Sequence, residues 1–220
     1  MFKNIKVHII SLLILFFIII SSSIINEVIV SNFKFLPLGF FTQFSFILFS
    51  LILIKFYNFE IKYFLSIPNF FKILPFIFIF IFGILFILDV IIPNSNSDSI
   101  LNIPTKELVT ILLINCFGEE FLFRGFLQNY YSDFKKYQFD LFKTKISYPV
   151  FISGLFFGLM HFAIISTGVD FISASKIVIS ATCVGLFSGY YYEKYNTLFA
   201  PIIIHFTCNI SSMFYSLVIS

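Results

Sequence analysis

The stretch Asn115–Gln128 reads NCFGEEFLFRGFLQ, with two adjacent carboxylates and the chain's only arginine set in an otherwise almost wholly apolar run. A charge in such surroundings is costly unless it is paired or faces water, so the cluster marks a candidate functional site. On a helix, Glu120 and Arg124 stand four residues apart and pair across one turn, while Glu119 lies about 100° around the cylinder with no arginine above it. One carboxylate is held and the other is free to act. Asn115, one turn before Glu119 on the same face, gives the free carboxylate a polar neighbour.

Outward from this stretch, the 220 residues are 59% hydrophobic and only 11% charged, against about 25% charged in soluble domains. The expected fold is an all-α polytopic membrane protein with about seven transmembrane helices in one bundle. Residues 1–104 would supply helices one to three and residues 105–220 helices four to seven, within a single membrane domain. No internal repeat or long linker divides them. The 36 Phe are read as lipid-facing filler of a chain with AT-rich codons. Cys116, Cys183 and Cys208 lie in apolar segments without C-x-x-C spacing and make neither a disulfide framework nor a zinc knuckle. A thiol nucleophile is the minor reading of Cys116 and Cys208, which adjoin the polar clusters.

A helix needs about 20 apolar residues to cross a bilayer, and such windows fall at 7–26, 38–56, 72–91, 106–131, 148–166, 172–191 and 198–217. The first is read as an uncleaved anchor, because no small-residue cleavage site follows it. With the N-terminus inside, the cytoplasmic segments hold Lys3, Lys6, Lys55, Lys62, Lys72, Lys135, Lys136, Lys143, Lys145 and Lys194. The other side holds Lys34, Lys106 and Lys176. That division of 10 against 3 predicts a multi-pass protein of the cell membrane with a cytoplasmic N-terminus. The connection Ile92–Pro104 is polar and turn-rich, as an outer loop should be. The stretch YSDFKKYQFDLFKTK mixes lysines with aromatics and is expected to lie on anionic headgroups, with lipids rather than nucleic acid as its partner.

In the fifth window Ser153, Phe157 and His161 recur every fourth residue beside Gly154 and Gly158, which would let another helix approach closely. Gly185 and Gly189 in the sixth read as a packing seam. In the seventh, His205 and Asn209 share one face. Counting about 1.5 Å per residue, Glu119 and His161 lie roughly 18 to 20 Å from the cytoplasmic ends of their helices, and His205 about 11 Å. The acid, imidazole and amide groups thus converge on one pocket open to the cytosol. A lone intramembrane histidine can equally be a structural hydrogen-bond partner; two beside the carboxylates argue for chemistry.

These residues resemble the motifs of the CPBP intramembrane proteases, a family that includes the type II CAAX prenyl endopeptidases and bacteriocin-processing and self-immunity proteins. The family patterns EExxxR, FxxxH and HxxxN stand here as Glu119, Glu120 and Arg124, then Phe157 and His161, then His205 and Asn209, over about residues 105–215. The resemblance implies hydrolysis of a peptide or protein substrate that arrives from the membrane or the cytosol.

Amide hydrolysis needs an activated water, a donor set for the oxyanion and a proton for the leaving amine. Glu119 is the expected general base and His161 the group that orients water. His205 and Asn209 would stabilise the oxyanion, with Glu120 and Arg124 locking the helix that presents Glu119. The family is often described as metalloproteases, and Glu119, His161 and His205 could offer zinc three ligands. The H-E-x-x-H signature is absent, so cofactor use stays open between zinc and a metal-free mechanism. Two non-enzymatic readings remain: a small carrier, disfavoured by the lack of an inverted repeat, and an immunity protein that binds without turnover.

The lysine division predicts that a cysteine placed at Asn94–Asn96 is labelled from outside intact cells by an impermeant thiol reagent, while one at Lys136 is protected. The opposite pattern would reverse the orientation.

Overall fold

The computed structural model describes residues 2–32, 37, 39–61, 70–92, 110–141 and 144–219. These form seven helices: α1 (Phe2–Asn32), α2 (Phe40–Phe56), α3 (Leu74–Ile91), α4, α5 (Tyr148–Met160), α6 (Phe171–Tyr195) and α7 (Phe199–Ile219). Helix α4 is α-helical over Asn115–Glu120, between π-helical turns at Thr110–Ile114 and Phe121–Gln128. Five segments, Lys6–Ile29, Phe71–Ile91, Tyr148–Thr167, Phe171–Tyr195 and Phe199–Val218, are long and apolar enough to cross a membrane, and α2 is a shorter apolar helix. The chain is a multi-pass membrane protein. The expected boundary at 104/105, residues 93–104 of the outer loop, and Lys34, Lys62, Lys106 and Lys143 lie outside the described residues.

The connection between α4 and α5 adds a feature that the helical periodicity did not reveal. Strands β1 (Gln138–Leu141) and β2 (Thr144–Ser147) pair antiparallel, with Gln138 opposite Ser147. The Tyr148 N–H donates to the Tyr137 carbonyl at 2.8 Å, which closes the hairpin at the start of α5. The N-terminal end of α1 meets this connection: His8 Nδ1 lies 2.9 Å and Ser11 Oγ 2.6 Å from the Tyr131 hydroxyl. The start of the chain and the lysine-rich hairpin are therefore on the same side of the bundle.

Lipid tails are as apolar as Leu, so close backbone approach, more than apolar burial, holds membrane helices together. The α5–α6 crossing follows this rule. A Cβ added to Gly185 would lie 2.8 Å from Gly154 Cα, and one added to Gly158 would lie 2.8 Å from the Val178 carbonyl oxygen. Ile18, Phe46, Ile81, Leu122, Phe157, Ala181 and Ile204, one from each helix, share a single apolar core. Phe56 and Phe76 are 75% and 74% exposed on the outer surface, where a bilayer would cover them.

Lys176, one of the three lysines assigned to the outer side, is buried near the start of α6 and paired with Asp89 of α3. The second Asp89 oxygen accepts the Tyr215 hydroxyl of α7 at 2.6 Å. A charge count along the sequence registers the lysine but not its inward side of the helix.

Gly185→Leu should overpack the crossing and destabilise the protein by about 1–3 kcal/mol, read as a lower melting temperature in detergent. Gly83→Leu, where nothing lies within 4 Å of the added Cβ, should leave that temperature nearly unchanged.

Candidate active site

Helix α4 carries both glutamates into the bundle, where Glu119 is 5% and Glu120 0% exposed. Arg124 Nε lies 2.9 Å from Glu120 Oε2, and both side chains are wholly buried. Three further neighbours surround the arginine, while its Nη2 is buried without a hydrogen-bond partner among the described residues. Its Nη1 donates to Ser153 Oγ at 3.2 Å, its Cζ stands 5.1 Å from the centre of the Phe157 ring, and its carbonyl accepts from Asn129 Nδ2 at 3.0 Å. Asn129 also donates to the Gly125 carbonyl at 2.9 Å, so one side chain serves two carbonyls of the widened π-helical stretch. Ser153 Oγ in turn donates to Gln128 Oε1 at 3.2 Å, and Gln128 Nε2 donates to the Gly189 carbonyl at 3.0 Å. The arginine is thereby tied into α4, α5 and α6.

Two histidines face the free carboxylate. His161 caps the C-terminal end of α5, and its Nδ1 is 2.8 Å from the Phe157 carbonyl oxygen. A carbonyl can only accept, so Nδ1 carries the hydrogen and Nε2 of the neutral ring carries the lone pair. His205 Nδ1 is 3.1 Å from Glu120 Oε1. Because Glu120 is ionised against Arg124, it too only accepts, and the same tautomer follows. Both Nε2 atoms lie 4.0 Å from one atom, Glu119 Oε2. That oxygen is buried without a hydrogen-bond partner among the described residues. The Phe157 ring packs on both imidazoles, with centroids 5.2 Å from His161 and 5.3 Å from His205.

The structure thus brings Glu119, Glu120, Arg124, His161 and His205 together. Asn209 sits one turn further along α7, where its Nδ2 donates to Cys116 Sγ at 3.3 Å. Cys116 is 1% exposed, and its thiol donates to the Leu112 carbonyl at 3.1 Å. Asn115 is half-buried at the start of the α-helical turn. One site residue escaped the motif reading: Gln43 of α2 donates from Nε2 to Glu119 Oε1 at 3.3 Å. Its only signal in the sequence is an amide inside an apolar span.

The spacing also tests the fit of a metal. Among the described residues, no group of three or more His, Cys, Asp and Glu side chains is arranged to hold a metal ion. Zinc at about 2.1 Å from two atoms separated by 4.0 Å would require an angle of about 145° between them, far from tetrahedral. A water at about 2.8 Å from the same atoms would subtend about 90°, within hydrogen-bonding range. The site as placed fits water and does not fit tetrahedral zinc.

Residues 102–211, half of the 220-residue chain, match the family model described as Type II CAAX prenyl endopeptidase Rce1-like. No curated protein and no solved structure matches.

Arg124→Ala would strand Glu120 as an unpaired buried carboxylate and should cost about 3–5 kcal/mol, measured as a fall in melting temperature in detergent. Glu119→Gln should leave that temperature close to wild type. Equal losses in both variants would make Glu119 a structural group.

Proposed function

The chain belongs to the type II CAAX prenyl endopeptidase Rce1-like family, a family of membrane proteases, and on that footing we propose that it hydrolyses peptide bonds with Glu119 as general base. The observation that carries this reading is the placement of Glu119 Oε2, buried and opposite two imidazole Nε2 atoms at 4.0 Å. A water between these atoms donates one hydrogen to the carboxylate and the other to His161, which orients its lone pair toward the substrate carbonyl. Glu119 takes the proton as the new C–O bond forms. Charge then collects on the carbonyl oxygen, where His205 and Asn209 act as donors. His205 can donate from Nε2 only in its imidazolium form, in which Nδ1 still donates to Glu120 Oε1. The proton held by Glu119 passes to the leaving nitrogen as the C–N bond breaks.

In this reading the substrate is a peptide or protein segment that reaches the bundle from the lipid or the cytosol. The protein sits in the cell membrane with its N-terminus inside. The side shared by the N-terminal end of α1 and the lysine-rich hairpin then faces the cytoplasm, as the lysine division suggests.

The test is cleavage of a peptide library that includes prenylated C-terminal CAAX peptides by detergent-purified protein, read by mass spectrometry. Glu119→Gln should abolish every product, and Asn209→Ala should reduce turnover on the order of 10²-fold, as expected for one lost oxyanion donor. A strong chelator should leave the rate nearly unchanged. Loss of activity on chelation with recovery on added zinc would replace the direct mechanism by a metal-assisted one. A Glu119→Gln variant that keeps its biological activity would identify a binding protein.

A further inference from the structure

Helices α1–α3 precede the family match at residues 102–211, and one of them reaches the reactive carboxylate. Gln43 stands in the first turn of α2, where its backbone N–H donates to the Gly39 carbonyl at 3.1 Å. Its side chain is buried, and Nε2 donates to Glu119 Oε1 at 3.3 Å. The approach depends on Gly118. A Cβ at that position would lie 2.9 Å from the Gln43 carbonyl oxygen and 3.0 Å from its Cα, so any larger residue would push α2 away from α4.

We propose that Gln43 is a positioning residue for the base: its amide fixes Glu119 Oε1 and so turns Oε2 toward the two imidazoles. The proposal rests on Glu119 being the base. A carboxylate has two equivalent oxygens and a broad terminal torsion, so without an anchor on one oxygen either can face the imidazoles and neither is held there. The two adjacent glutamates receive different partners. Glu120 has a guanidinium 2.9 Å from Oε2 as an ion pair and an imidazole 3.1 Å from Oε1, so a cationic group lies close against it. Glu119 has a neutral amide on one oxygen and no hydrogen-bond partner among the described residues on the other. A cation in place of Gln43 would bind Glu119 as Arg124 binds Glu120 and suppress its basicity. The amide orients the group and favours its ionised form by a hydrogen bond while leaving it able to accept a proton.

The experiment compares wild type, Gln43→Leu and Gln43→Glu in two measurements. Infrared difference spectra, each protein minus its own Glu119→Gln counterpart, follow the Glu119 carboxyl band with pH and need no substrate. The pH profile of kcat/KM on the library peptide cleaved best follows the same group in turnover. Removing the donor in Gln43→Leu should move the band midpoint and the acid limb up together by about one to two pH units. Gln43→Glu keeps the side-chain shape and sets a second carboxyl beside the first, so both should move upward again. Midpoints equal to wild type in whichever variant folds would overturn the proposal. If instead Glu119→Gln retains cleavage while the band still shifts, Gln43 positions a carboxylate that is not the base, and it is the reading of the mechanism that fails.

Discussion

A guanidinium and a carboxylate, both fully buried inside an apolar bundle, are the constraint on which the site depends. Removing two charges from water costs several kcal/mol per ion after relaxation, and their attraction offsets this only when the remaining directions are also satisfied. Here that condition is met in part: Ser153 takes one edge of the guanidinium, the Phe157 ring lies against it and His205 takes the second Glu120 oxygen, while Arg124 Nη2 is left without a hydrogen-bond partner among the described residues. Those partners come from α5 and α7, so the pair on α4 joins three helices at one point. In the same contact Glu120 sets the tautomer of His205 and thereby decides which nitrogen faces Glu119. The pair thus sets which atoms of the neighbouring side chains face one another.

The helices, their approximate limits and the pairing of Glu120 with Arg124 were legible in the sequence because each leaves a local trace. Long apolar windows mark spans, and four-residue spacing marks a shared helical face. The convergence of His161 and His205 on Glu119 was legible only as an ordered set of motifs, since no spacing along one helix says how another turns toward it. Gln43 was not legible at all. An amide in an apolar span has no motif, and its partner lies 76 residues away. The pairing of Lys176 was hidden in the same way, because a lysine near a helix end normally reaches water and this one turns inward to Asp89 on another helix. The hairpin at Gln138–Ser147 was hidden by its length, too short to show a period of its own.

Glycine has two uses in this bundle. At Gly154 and Gly185 it draws α5 against α6 and makes the scaffold close-packed. At Gly118 it lets the backbone of α2 come beside the turn that carries Glu119, and so allows a helix outside the matched region to reach the carboxylate. Helix packing and the surroundings of Glu119 are therefore coupled through residues that carry no functional group.

The Asp89–Lys176–Tyr215 contact has a consequence for how the chain is made. Asp89 closes the third helix, whereas its cationic partner belongs to the sixth and its hydroxyl partner to the seventh. During synthesis the acid emerges 87 residues before Lys176, and until then it must stay near headgroups, hold a proton or borrow another partner. Neutralisation arrives only when the later helices dock. The last two spans thus supply both partners of an acid carried by the third, so this contact forms only once those later helices are made.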